Sequence, residues 1–464
     1  MGVLKSVIFP LLALSAFAVH AATDDGVEQT ADGLVVRPSD AQAADVRLQV
    51  VQPGIVRVTA DPDGDFARTP SLMRVDAGKA PDYTVERKGE WVKLSTQGIS
   101  AEVSTRDGQV RFFDAAGKPL VSERARSFQS VSFEGKPYYS VRQRFESPSD
   151  EAFYGTGLHQ QGWMDLKGRD VELLQHNIDN AIPYLMSSRH YGILWDNNSI
   201  TRYGDPRGLK PLGATLDMFD AQGKPGALTA RYSISGVQKA ERRESEINYQ
   251  YIKDLANFPE AGKNLDKGGR SNVVWEGEIA ARTDGRHTFS MYNSEYAKLY
   301  IDGKLVLDRW RQNWNPWHHE FALEMKAGQR HKVKLEWDRI EPAYVALLHR
   351  DPLPADEDKD LSIWSEAAQN IDYYVVAGDD ADQVLAGYRT LTGKAVLLPK
   401  WSYGFWQSRE RYKTQEELTG ALDEYRRRKL PIDAIVLDWS YWPENAWGSH
   451  DFDKKNFPDP DSPV

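Results

Sequence analysis

Residues 401–442 decide the reading of this chain: Trp401-Ser402-Tyr403-Gly404-Phe405-Trp406-Gln407-Ser408, then a charged stretch, then Ala434-Ile435-Val436-Leu437-Asp438-Trp439-Ser440-Tyr441-Trp442. The first run reads as a strand from Trp401 to Ser408. Thr414 then opens a helix, with Glu417 three residues on as the second half of a capping box. Leu418, Ala421, Leu422 and Tyr425 fall at i, i+3, i+4 and i+7, which makes one apolar stripe. Arg426, Arg427, Arg428 and Lys429 sit where the helix dipole is negative, and Pro431 stops the helix. Ala434 to Leu437 is uninterrupted apolar sequence, as expected of a strand buried on both faces. Strand, helix, strand in this form opens a β/α barrel, and Asp438 lands at the C-terminal end of the second strand, where such barrels do chemistry. A complete barrel takes about 250 residues. The chain reaches Val464, so residues 396–464 are expected to hold only its first strands.

Asp438 is surrounded by Trp439, Tyr441 and Trp442. A carboxylate beside an aromatic wall can hold two sugar hydroxyls while a ring stacks on the sugar's C–H face. The competing reading is a carboxylate that caps a helix or pairs with a base.

Upstream of the barrel, Ile371 to Gly378 reads as a strand and Ala381 to Leu391 as a helix, with Asp382 early in it and Gly393 just beyond it. Pro352 to Asp360 is a polar break. Lys359 is its single base among four acids, which suits a solvated linker. From about Glu241 to Asp351 the pattern is β. Its clearest element is a hairpin, Ala297 to Asp308, around the turn Asp302-Gly303. A longer β block runs from about Gly33 to Ser235. Val46–Val50, Ile55–Val58, Trp91–Leu94 and Ile99–Val103 are runs separated by turns such as Asp107-Gly108, a spacing that predicts an antiparallel sandwich. The fold class expected is therefore mainly β: an N-terminal β-sandwich, a second β-rich block, then the first strands of a (β/α)8 barrel.

At 464 residues the chain is too long for one ordinary domain. Its net charge of −10 argues against nucleic acid or an anionic membrane as partner. With no cysteine, disulfides, thiolate metal sites and thiol nucleophiles are all excluded. Fourteen tryptophans and twenty-one tyrosines are many, and runs such as Trp310-Arg311-Gln312-Asn313-Trp314-Asn315-Pro316-Trp317 place rings among polar groups. That mixture suits sugar recognition, although sandwich cores and edge strands use the same residues. At the N-terminus, Lys5 precedes the apolar run Val7 to Leu14, and Val19-His20-Ala21 gives a small-x-small site. This predicts a signal peptide over residues 1–21, a mature chain from Ala22 or Thr23, and export to the periplasm or beyond. The apolar run is too short to span a membrane.

Taken together, several motifs resemble glycoside hydrolase family 31. They are Phe153-Tyr154-Gly155-Thr156-Gly157, Pro183-Tyr184-Leu185-Met186-Ser187, Gly192-Ile193-Leu194-Trp195-Asp196-Asn197, Leu398-Pro399-Lys400-Trp401-Ser402-Tyr403-Gly404-Phe405-Trp406-Gln407-Ser408, Ile435-Val436-Leu437-Asp438-Trp439 and Asn456-Phe457-Pro458-Asp459-Pro460. The resemblance implies an N-terminal sandwich at 22–235, resumed at 353–395, and a catalytic barrel from 396. The segment 236–352 resembles the protective-antigen-type PA14 module through Gly285-Arg286-His287-Thr288-Phe289, Leu299-Tyr300-Ile301-Asp302-Gly303-Lys304 and Lys332-Val333-Lys334-Leu335-Glu336. Many such modules hold calcium through paired aspartates before the Leu-Tyr-Ile-Asp-Gly strand. Here that place reads Ser294-Glu295-Tyr296-Ala297, so no calcium-dependent lectin site and no other metal or cofactor is expected.

Within this resemblance the reaction is retaining hydrolysis of an α-glycoside through two aspartates on later barrel strands, both expected beyond residue 464. No catalytic residue is therefore assigned, and the 464 residues alone are expected to be inactive. Asp438 matches the family's sugar-hydroxyl binder, and Trp439, Trp406 and Trp442 join it as expected substrate contacts. Xylose lacks the hydroxymethyl of glucose. Trp439 either fills that space or packs against Trp406 in the barrel interior. The inserted module favours an α-xylosidase acting on xyloglucan-type oligosaccharides. An α-glucosidase or α-galactosidase is the alternative, and a non-catalytic carbohydrate-binding remnant is a third reading if these residues are the whole protein.

Overall fold

The computed structural model describes residues 26–66, 71–75, 78–175, 179–251, 271–339, 343–357 and 359–461. The predicted signal peptide lies outside these residues. The described chain is mainly β and divides into two units, residues 1–392 and 393–464.

The first unit is built on a sandwich. One sheet runs, in spatial order, Val27–Thr30, Gly33–Val36, Asp45–Gln52, Ile55–Asp61, Ile371–Ala377, Tyr191–Trp195, Asn180–Ser187 and Phe153–Leu158. The other includes Thr201–Tyr203, Leu361–Ala368, Lys136–Phe145, Pro119–Phe133 and the meander back to Thr84–Lys88. Alternation drives the packing: Val46, Leu48 and Val50 turn inward from Asp45–Gln52 while Arg47 and Gln49 stay partly exposed. They meet Leu94, Val103, Phe112, Phe145, Trp195, Ile363 and Tyr373 in one core. Glu123 ties the two sheets together inside that core. Its carboxylate accepts from Tyr373 Oη at 2.6 Å and from Val110 N at 2.7 Å, and pairs with Arg126. A buried carboxylate is tolerated only with such partners.

Helix Ala381–Thr392 lies against this sandwich through buried Val384 and Leu391. Tyr184 Oη donates to Val384 O at 2.9 Å. Gly387 allows the close approach: a Cβ there would lie 2.2 Å from Val376 Cγ1.

The inserted module is a second sandwich with its own core, including Tyr232, Trp275, Phe289, Met291, Leu299, Leu335 and Trp337. The expected boundary at residue 235 is displaced. Strands Asp217–Asp220 and Leu228–Ile234 pair with Ser271–Ala280 of the module. Leu228, Ala230 and Tyr232 bury into the module's core, and turn signals in sequence do not reveal such partners. The chain leaves the sandwich after Tyr203 and returns at Leu361, on strands that are neighbours in register, Tyr203 opposite Ile363. Within the module Lys210 faces His349. Entrance and exit therefore lie side by side, which lets a module be inserted without disturbing the host sheet. The Asp302-Gly303 turn forms as expected, with φ of 50° and 76° at its two central residues.

Among the described residues of the segment 352–360, the acids are not free in solvent. Glu357 pairs with Arg142 at 2.8 Å, and Asp360 pairs with Arg124 at 2.9 Å and Arg144 at 3.2 Å. Glu357 and Asp360, read as solvating charge, are the counter-ions of arginines on two neighbouring sandwich strands, Pro119–Phe133 and Lys136–Phe145.

In the second unit, helix Gln415–Arg427 forms as expected. Thr414 Oγ1 accepts from Glu417 N at 3.2 Å, and the Glu417 carboxylate accepts from Lys413 N at 2.8 Å. The strands are shorter than the sequence suggests. Lys400–Tyr403 is a 3-10 turn, and the parallel pair reduces to Trp406–Gln407 beside Ala434–Ile435. Val436 and Leu437 are half-buried, not enclosed. Parallel strands extend when neighbours cover both edges and both faces, and among the described residues these two pair only with each other.

Candidate carbohydrate site

Asp438 follows the second barrel strand, and Trp439 N donates to its Oδ1 at 2.7 Å. That local bond fixes the carboxylate at the turn. Ser440 follows with φ of 65°, an uncommon left-handed conformation for a non-glycine residue. The turn projects a connected series of rings. Trp439 packs on Trp447 at 5.4 Å, Trp447 on Trp442 at 5.6 Å, Trp442 on Tyr441 at 5.4 Å, and Tyr441 on Phe452 at 5.2 Å. The Arg411 guanidinium lies 4.6 Å from the centre of the Trp439 ring, a cation–π contact.

The chain beyond the rings is tied to the helix start. Gln415 Nε2 donates to Asp459 O at 2.8 Å, and Gln415 Oε1 accepts from Asp459 N at 2.9 Å. Gln407 holds the first strand to the helix, accepting from Tyr425 Oη at 2.6 Å. The result is a carboxylate beside an aromatic wall with a cation over one of its rings, chemistry suited to a sugar's hydroxyls and C–H face.

Asp438, Trp439 and Trp442 thus come together. Trp406 stacks instead on Trp401, with ring centres 5.7 Å apart. Trp439 does not take Trp406 as its packing partner; it uses Trp447 and Arg411. Both of those were missed in the sequence. Trp447 sits in a loop without periodicity, and Arg411 reads as ordinary surface charge.

The inserted module shows what replaces the missing aspartate pair. Ser294 Oγ accepts from Tyr344 N at 2.8 Å and Ser294 O accepts from Trp337 Nε1 at 2.8 Å. This position is committed to holding the module's own backbone. Trp310 and Trp314 remain exposed, and Tyr296 lies 6.1 Å from Trp310. Arg311 between them reaches across to the sandwich, donating to Gln160 Oε1.

With this geometry in place, comparison with known proteins decides the family. Residues 45–203 match the glycosyl hydrolase 31 N-terminal galactose mutarotase-like domain, 253–347 the PA14 domain, and 395–464 the glycosyl hydrolases family 31 TIM-barrel domain. The chain belongs to glycoside hydrolase family 31. Within family 31 it is similar to the solved α-xylosidase from Xanthomonas citri, with 66% identity and a TM-score of 0.89 over 93% of this chain and 47% of that one. It is 56% identical to an α-xylosidase from Saccharolobus solfataricus over 100 residues, 22% of this chain and 14% of the relative. It is also 39% identical to an α-glucosidase from Bacillus thermoamyloliquefaciens over 238 residues, 51% of this chain and 24% of the relative. The chain spans less than half the length of each of these family 31 relatives.

Proposed function

We propose that this chain is the N-terminal part of an exported, retaining α-xylosidase that removes α-xylose from the non-reducing ends of xyloglucan-type oligosaccharides. The observation that carries the reading is the 66% identity to the Xanthomonas citri α-xylosidase across 93% of the chain, which takes in the sandwich, the inserted module and the opening of the barrel. In this reading Asp438 holds sugar hydroxyls, and Trp439 fills the space that a hydroxymethyl would need. Trp439 is in contact with both the Trp447 ring and the Arg411 guanidinium, which hold it in place. Exclusion of a group of that size contributes on the order of 1–3 kcal/mol to discrimination.

Retention of configuration needs two carboxyl groups about 5–5.5 Å apart, one attacking and one cycling between acid and base. None of the described residues is assigned to either role, and the family resemblance puts both on later barrel strands. The test is to give the natural protein that carries this chain a xyloglucan oligosaccharide and follow the products by proton NMR. Free xylose appearing first as the α-anomer supports the reading. Release of glucose, or xylose appearing first as the β-anomer, overturns it. Sequencing the mature N-terminus tests export: a start at Ala22 or Thr23 is expected, and Met1 would contradict it.

A further inference from the structure

The inner face of one module sheet changes character at its end. On strand Gly285–Asn293 the alternate residues Met291 and Phe289 are core, and the next in step is His287. On the neighbouring strand Val345–Arg350 the series Val345, Leu347, His349 runs the same way, and Asp351 is the next residue on that face. The strands are antiparallel with Phe289 opposite His349, so His287, His349 and Asp351 converge at one corner.

Both histidines are fully buried. Their outer nitrogens are engaged: His287 Nε2 with Thr283 O at 2.9 Å, and His349 Nδ1 with Thr215 Oγ1 at 2.7 Å. Their inner nitrogens, His287 Nδ1 and His349 Nε2, face each other at 2.9 Å. A hydrogen-bonded pair of neutral imidazoles would account for those two rings. It does not account for Asp351. Asp351 Oδ1 is a buried oxygen with no hydrogen-bond partner among the described residues, and it lies 3.8 Å from His287 Nδ1, too far for a hydrogen bond.

We propose that His287, His349 and Asp351 form a binding site for a divalent transition metal of the zinc class inside the inserted module. The three ligand atoms lie within 4.8 Å of one another. Ligands at ordinary zinc distances are about 3.3 Å apart in a tetrahedral site, inside the observed spread. The outer contacts to Thr283 and Thr215 are those a metal-bound imidazole uses to fix its tautomer and orientation. Asp351 is placed in turn by its own backbone, whose carbonyl accepts from Arg207 Nη2 at 2.9 Å. Two neutral imidazoles and one carboxylate leave a fourth position for water, and the partly exposed Asp351 gives the ion its way in. Sequence spacing gives no hint of the site because the two histidines are 62 residues apart.

The test uses the full chain, purified without a histidine tag and dialysed against chelator. Zinc chloride alone is titrated by calorimetry, and cobalt chloride is added separately to read the visible absorption of a low-coordinate site. One equivalent of zinc bound at micromolar concentration or tighter is expected. Asp351→Asn, a nearly isosteric change at a partly exposed position, should weaken binding by about tenfold or more, and His349→Gln should abolish it. If His349→Gln fails to fold, Asp351→Asn decides alone. Absence of binding in the parent chain, or equal binding in the parent and Asp351→Asn, overturns the proposal and leaves a neutral histidine pair.

Discussion

Arg350 of the inserted module and Asp205 of the connector leading into it form a buried ion pair, with Nε 3.0 Å from Oδ2 and both side chains less than a tenth exposed. The same guanidinium also pairs with Asp170 of the sandwich and donates to Arg207 O at 2.8 Å. One arginine thus fastens the module to its host at the point where the chain enters and leaves.

Removing that cation leaves the Asp170 carboxylate without its arginine and Asp205 with Arg207 alone, at 2.6 Å. Arg350→Met is therefore expected to destabilise the chain by about 3–5 kcal/mol. Chemical denaturation of the parent and the variant checks this. A loss under about 1 kcal/mol, the range of exposed ion pairs, would show that the pair is solvated.

Glu320 of the module gives this region a pH dependence. Burial, and then the nearby Asp170 carboxylate, push its pKa up to about 7. A carboxyl whose folded pKa exceeds its unfolded value binds its proton more tightly in the native state. Its contribution is present below the ordinary glutamate range and lost as pH rises toward 7. Stability should fall on the order of 2 kcal/mol between about pH 4.5 and 7.5 from this group. Glu320→Gln should flatten that part of the profile and raise stability at pH 8. An unchanged profile in the variant would contradict the assignment.

Gly387 is predicted to be intolerant of even one methyl group. Val376 is buried and branched, so it cannot yield to a Cβ at 2.2 Å. Gly387→Ala should cost about 1–3 kcal/mol despite alanine's better helix propensity. A melting temperature equal to or above that of the parent would show that the helix docks less tightly.

At the proposed sugar site, Asp438→Asn in the natural protein should lower kcat/KM for α-xylosides by about a hundredfold or more, because the substrate hydroxyl would lose a charged acceptor. Circular dichroism should be unchanged. Trp439→Leu should instead shift selectivity toward glucosides by about tenfold or more. Unchanged kinetics in both variants would remove these residues from the substrate site.

Much of the architecture was legible because it follows from local rules. Alternation in Asp45–Gln52, the capping pair Thr414 and Glu417, and the Asp302-Gly303 turn all carry their structure within a few residues. What was not legible depends on distant partners. Leu228–Ile234 looks like any sandwich strand until Trp275 is seen across from Ala230. Asp360 looks like linker charge until Arg124 and Arg144 arrive from two other strands. At the candidate site, the Asp438–Trp439 turn could be read from a strand ending in an acid. Trp447 and Arg411 could not, because a loop brings them in without any period. Trp406 has the right residue type and the right strand, yet its ring turns to Trp401.

The measurement that tests the central claim most directly compares kcat/KM for 4-nitrophenyl α-xyloside and 4-nitrophenyl α-glucoside on the natural protein carrying this chain. The account predicts that the xyloside is preferred by at least about tenfold, the discrimination that one excluded hydroxymethyl supplies. Equal turnover of the two, or preference for the glucoside, would contradict it.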